Sequence, residues 1–138
     1  MTTIATDGLT IASDSRMIGE FIEQGNVEKI FRIGEQLVGV AGDYADCLKY
    51  IAWLQDGQRP SDRPKLSSFE ALHISKSGVY WVGHGLQPVK MSKCAAAGSG
   101  GKFAIAAMLA GASPTKAVSI AMKLDPNSGG KVRTMRLK

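Results

Sequence analysis

Cysteine is scarce in this chain: 138 residues carry two, Cys47 and Cys94. They form no Cys-x-x-Cys pair, and the two histidines, His73 and His84, have no ligand-type spacing around them. This argues against a disulfide framework and against a metal centre, and both thiols read as free in a reducing compartment. No apolar run approaches the ~20 residues that span a bilayer. The start of the chain is polar and lacks the basic region of a signal peptide. The expectation is a cytoplasmic protein with no membrane partner. Internal repeats and low-complexity tracts are also missing.

Acidic residues are outnumbered, 12 against 17 basic, for a net charge of +5. An excess of that sign can serve nucleic acid. Here the basic residues are scattered, and the one cluster is the tail, where Lys131, Arg133, Arg136 and Lys138 alternate with Val132, Met135 and Leu137. That pattern reads as a solvated strand end, so a nucleic-acid partner is disfavoured. The run Gly98-Ser99-Gly100-Gly101-Lys102 invites a phosphate-loop reading. It fails because Phe103 stands where Ser or Thr is required, and no glycine lies five residues before Gly101.

What is present is an ordinary soluble balance, 44% hydrophobic and 21% charged, at a length that suits one domain over residues 1–138. Residues 2–6 and 9–12 read as a hairpin turning at Asp7-Gly8, with Thr6 facing Leu9. Counting back places Thr2 opposite Ser13 and next to Asp14. A second hairpin turns at Gly34-Glu35. A helix capped by Asp43 runs to about Gln55, with Leu48, Ile51, Ala52 and Leu54 as its apolar face. Residues 56–67, rich in proline and charge, read as a loop or linker. A third hairpin turns at residues 76–78, and residues 94–97 read as a short buried strand. Two helices follow, over 102–109 and from Ser113-Pro114 to about Leu124, and then a last strand over 132–137. Hairpins with segregated helices predict a layered α+β domain.

Several residues could carry chemistry. A threonine that becomes the first residue of a chain has a hydroxyl nucleophile and its own α-amine, with an ordinary pKa near ~8, as base. Met1 before the small Thr2 is a good substrate for methionine removal, although many chains begin this way and carry an inert terminus. Asp14 and Lys29 are either a surface ion pair or a lysine held beside Thr2 by Asp14, where it raises the local positive potential. Gly42, just before the Asp43 cap, sits where backbone N–H groups collect, either as a tight turn or as an oxyanion donor. Ser99, Asp125 and Ser128 are either cap and turn residues or groups that orient an amine and relay its proton. Tyr80, Trp81 and His84 read as hairpin and core residues.

The segments TTIA at Thr2, SDSR around Asp14, Lys29, VAGDYADC at Gly42, GSGG at Ser99 and DPNSGG at Asp125 stand in this order along nearly the whole chain. In these six the sequence resembles the β-type proteasome family, including the HslV-like threonine peptidases. The resemblance implies a four-layer αββα N-terminal nucleophile hydrolase sandwich of antiparallel sheets, with its helical layer reduced because the loop at 56–67 takes the place of a family helix. It implies Thr2 as nucleophile, Asp14 and Lys29 as supporting ion pair, Gly42 as oxyanion donor, and Ser99, Asp125 and Ser128 around the amine. It implies that Val40 shapes the specificity pocket. It further implies peptide-bond hydrolysis without metal or organic cofactor, polypeptide substrates, a homo-oligomeric ring, and an ATP-dependent unfoldase as candidate partner. The alternative is a catalytically silent structural or binding version of the fold that keeps Met1.

Overall fold

The computed structural model describes residues 2–19 and 22–138. Its first hairpin joins β1 (Ile4–Thr6) to β2 (Thr10–Ser13), and Thr6 pairs with Ile11. The turn residues are therefore Gly8 and Leu9, with Gly8 at φ 90°, a conformation that favours glycine. This corrects the expected Asp7-Gly8 turn by one residue and the strand register by two. The cause is local. Asp7 Oδ1 accepts the N–H groups of Leu9 and Thr10, and Thr6 Oγ1 accepts that of Gly8, so two side chains hold the turn further along. A shift of two keeps every side chain on its expected face. It does move Asp14 opposite Thr3, whose carbonyl accepts the Asp14 N–H at 3.2 Å.

A second hairpin pairs β3 (Arg16–Gly19) with β4 (Ile22–Asn26), with a bulge between Met17 and Ile18. The sequence reading did not anticipate it. Next come β5 (Ile30–Ile33), β6 (Gln36–Gly42), α1 (Tyr44–Gln55), a single 3₁₀ turn at Pro60–Asp62, β7 (Phe69–Ser75), β8 (Gly78–Gly83) and β9 (Pro88–Met91). Then follow β10 (Ala95–Ala97), α2 (Gly101–Leu109), α3 (Pro114–Leu124) and β11 (Arg133–Arg136). One antiparallel sheet has the order β10-β1-β2-β11 and the other the order β5-β6-β7-β8-β9.

Strand alternation builds the layers. Ile4 and Ile11 point from the first sheet onto Leu37, Leu72 and Ile74 of the second. Their neighbours Ala5 and Ala12 point the other way, onto Ala104, Ala117 and Ala121 of α2 and α3. Val38, Val40 and Ala71 leave the far face of the second sheet and meet Cys47, Tyr50, Ile51 and Leu54 of α1. The result is helix, sheet, sheet, helix pair, with small residues under α2 and α3 so that they can approach closely. Gly39 makes room between the sheets: a Cβ there would lie 2.6 Å from Ile4 Cγ2.

The helices begin where the caps predict. Asp43 accepts the Asp46 N–H and Ser113 the Lys116 N–H. The buried face of α1 differs from expectation. Cys47, Tyr50, Ile51 and Leu54 are buried, whereas Ala52 is exposed and Leu48 is 47% exposed. Leu48 lies one residue round the helix from Cys47, and the sheet beneath takes the face centred on Tyr50. Among the described residues no helix is long and apolar enough to cross a membrane.

Candidate active site

Residues 2 and 3 precede β1 and are buried, and the polar groups around them converge from four distant segments. Asp14, fully buried just after β2, accepts the Thr3 N–H on Oδ1 at 3.0 Å and the Gly129 N–H on Oδ2 at 3.0 Å. Lys29, leading into β5, donates to both carboxylate oxygens at 3.1 Å. This is a buried pair rather than a surface one, with side chains 4% and 0% exposed. Burial pushes the Lys29 amine below its usual value, and the Asp14 charge and hydrogen bonds oppose that shift.

On the other side, the Thr2 N–H donates to Ser99 Oγ at 3.1 Å. Ser99 donates its own proton to Asp125 Oδ2 at 2.6 Å, and Ser128 donates to the same oxygen at 2.7 Å. Burial pushes the Asp125 carboxyl up, but the bonds from Ser99, Ser128 and the Asn127 N–H outweigh it and hold it below its usual value. Ser99 is no helix cap here. The cap position of α2 is Gly100, and no side chain bonds there.

A cavity of about 410 Å³ opens beside these groups, and Thr2, Lys29 and Gly42 all line it. Gly42 ends β6 at φ 115°, and a Cβ there would clash with the Ser68 carbonyl. Ile18, Val27, Val40 and Cys47 give the cavity an apolar wall. Tyr44 also lines it and donates its hydroxyl to the Glu28 carbonyl at 2.9 Å. Burial pushes the Cys47 thiol up to about 12, helped by the nearby Asp43 and Asp46 carboxylates, so it stays a neutral thiol. All seven residues singled out in the sequence thus meet: Thr2 with Ser99, Asp125 and Ser128 along one chain of bonds, Asp14 bonded directly to Lys29 and joined to that chain through Thr3, and Gly42 on the shared cavity.

Other contributors escaped the sequence reading. Because the Ser128 proton goes to Asp125, the Thr3 hydroxyl donates to Ser128 Oγ, at 2.7 Å. A Cβ on Gly98 would strike the Thr2 carbonyl, and one on Gly100 would strike Thr3 Oγ1. Gly98 and Gly100 are therefore what lets the chain's start lie against the 98–101 segment. Arg16 Nη1 donates to the Pro126 carbonyl at 3.3 Å, and Ser15 N and Arg16 N both donate to the Gly129 carbonyl at 3.0 Å. These bonds seat the loop that carries Asp125 and Ser128. The tandem threonines and the spacing of glycines in GSGG were the available signals.

The proteasome-subunit family model matches residues 2–58, the segment that supplies Thr2, Asp14, Lys29 and Gly42. No curated protein matches the sequence significantly. Among solved structures, BPH of Thiobacillus denitrificans superposes with a TM-score of 0.69 at 23% identity, over 99% of this chain and 98% of that one. The same protein in complex with epoxomicin gives 0.68 at 22%, with 100% of both chains covered. The eukaryotic HslV of Trypanosoma brucei gives 0.70 at 22%, over 98% of this chain and 99% of that one. The chain has the proteasome-type fold. That fold is the N-terminal nucleophile hydrolase sandwich, and the helix–sheet–sheet–helix order described above is its arrangement. The groups around Thr2 lie where the residues leading into β1, the end of β6 and the segment before α2 meet.

Proposed function

We propose that this protein is a threonine-type endopeptidase, with residues 1–138 as one peptidase domain in which the 56–67 loop stands in for a helix. Met1, whose removal the mechanism requires, lies outside the described residues. Once Met1 is gone, the nitrogen of Thr2 becomes a primary amine. The observation that carries the reading is the partner of that nitrogen: it donates to Ser99 Oγ, at the head of the Ser99–Asp125–Ser128 chain. The amine's lone pair is then left to take the proton from the Thr2 hydroxyl as Oγ attacks a substrate carbonyl carbon. Lys29, buried beside Asp14, favours the neutral amine and the developing alkoxide. The Gly42 N–H faces the tetrahedral oxyanion. Collapse breaks the C–N bond, the amine returns the proton to the leaving nitrogen, and an ester on Thr2 remains. Water hydrolyses that ester and restores the hydroxyl. The residues need no metal or cofactor for any of these steps.

The substrates are polypeptides, and the working form is a homo-oligomeric ring in the cytoplasm with an ATP-dependent unfoldase as feeding partner. The relatives with this fold support that reading. The test is the intact mass of the purified protein after exposure to an epoxyketone such as epoxomicin, the molecule bound by the Thiobacillus relative. An epoxyketone closes on a hydroxyl and a free α-amine together. Loss of Met1 and gain of one epoxomicin per chain is the expected result. Retained Met1 without adduct would instead identify a silent version of the fold.

A further inference from the structure

A second cavity, of about 330 Å³, opens on the outer face of the five-stranded sheet. Tyr50 and Trp53, from the second half of α1, wall it, whereas the first half of the same helix borders the Thr2 cavity. Its size suits a single ring system, and among the described residues no charged side chain lines it. Nothing in the proposed mechanism uses it.

Three features mark it as built. First, His73 lies on its floor in a fully committed network. Gln36 Oε1 can only accept, so His73 Nδ1 carries the proton at 2.9 Å, and Nε2 accepts the Tyr50 hydroxyl at 2.7 Å. Second, His73, Tyr80 and Lys90 are direct cross-strand partners, so imidazole, phenol and ammonium form a row across β7, β8 and β9. Lys90 Nζ stands 5.9 Å from the centroid of the Tyr80 ring and sets a positive rim. Third, Gln58 at φ 57° and Leu86 at φ 63° are the non-glycine residues in the left-handed region among the described residues, and both line this cavity. Each is pinned: the Gln58 N–H donates to the Trp53 carbonyl at 3.0 Å, and the Leu86 N–H donates to the Gly83 carbonyl at 2.9 Å. Backbone strain of this kind persists where its surroundings enforce it, and it clusters at ligand clamps.

We infer that this cavity binds a planar aromatic ring bearing a carboxylate, independently of the Thr2 cleft. The ring stacks between the half-buried Trp53 and Tyr80, whose exposed faces offer contact area, over the buried Tyr50. The carboxylate meets Lys90 at the rim. Among the described residues no acidic side chain lines the cavity to oppose that attraction.

Isothermal titration of the whole protein with indole-3-acetate, indole and tryptamine tests the assignment. One indole-3-acetate per chain is expected, with indole weaker and tryptamine at least tenfold weaker than the acid. Tyr80→Ala should weaken indole-3-acetate at least tenfold. Lys90→Gln, on an exposed edge strand, should reduce it to the affinity of indole without threatening the fold. Three results would overturn the inference: no saturable binding of any probe at millimolar concentration, tryptamine binding as well as the acid, or Tyr80→Ala and Lys90→Gln both without effect while circular dichroism shows folded protein.

Discussion

Near Thr2, Asp14 and Lys29 are both buried as an ion pair; toward the other end of α1, His73 is almost as deeply buried and neutral. The difference lies in the partners. Asp14 receives the Lys29 amine on both oxygens and one backbone N–H on each. His73 donates to an amide oxygen and accepts from a hydroxyl, neither charged. A charge survives burial only when paired and hydrogen-bonded, and a buried polar group without a counter-charge persists in its neutral form. The Thr2 end therefore stores electrostatic potential where a reaction could use it. The His73 end satisfies its polar atoms and stores none.

Breaking the charged network should have the largest effects. Thr2→Ala removes the proposed nucleophile and one buried hydroxyl, so peptide hydrolysis should fall to background while stability changes by about 1 kcal/mol or less. Retained peptidase activity in that variant would dismiss the Thr2 mechanism. Lys29→Ala leaves Asp14 charged, buried and short of its counter-ion. We expect a loss of roughly 3–5 kcal/mol in urea unfolding and at least ~10²-fold lower kcat/KM. The double variant Asp14→Asn/Lys29→Met sharpens the point, because removing both charges should recover most of the stability and none of the hydrolysis. If the double variant is as unstable as Lys29→Ala, the ion pair is not what Lys29 contributes.

The neutral network predicts a pH effect instead. Burial lowers the His73 pKa to about 4 from an ordinary 6.5. Between those values the unfolded chain binds a proton that the folded one refuses, so stability falls as pH drops through this window. A shift of that size corresponds to about 3 kcal/mol. Asp125 acts lower down, since its depressed carboxyl keeps its contribution until pH falls below the ordinary aspartate range. Urea midpoints measured from about pH 7 to about pH 4.5 should therefore decline, and His73→Gln should flatten that decline. An unchanged slope in the variant would mean that another group refuses the proton.

How much of this was legible depended on the range of the interactions. The turn at Gly34-Glu35 and the helix starts at Asp43 and Ser113-Pro114 are local chemistry, and the chain formed them as read. The first hairpin was misplaced by one residue because Thr6 and Asp7 use their side chains to hold the turn, a choice that the Asp-Gly signal does not reveal. The edge strand β9 escaped because all four of its residues are exposed, leaving no buried face to impose alternation. The candidate site was read from motif order, which indicated that Asp14, Lys29, Ser99, Asp125 and Ser128 belong together. It did not indicate that Thr3, rather than Thr2, bonds to both Asp14 and Ser128. That follows from the two-residue register shift, a property of paired strands rather than of any motif.

Gly100 offers the finest test of the contrast, because it touches the charged network without belonging to it. A Cβ on Gly100 would clash with Thr3 Oγ1 and come within 3.2 Å of Asp125 Oδ2. The backbone there has φ −90°, which any residue adopts, so Gly100→Ala introduces crowding and no dihedral strain. Thr3 must withdraw its hydroxyl from Ser128, and the start of the chain must shift with it. Overpacking of this order costs about 1–3 kcal/mol. The expected signature is a larger loss in kcat than in stability, because the Thr2 nitrogen moves off Ser99 while both sheets remain packed. A stability loss of that size with unchanged kcat would mean that the site tolerates displacement of Thr3, and that the Thr3–Ser128 bond serves folding alone.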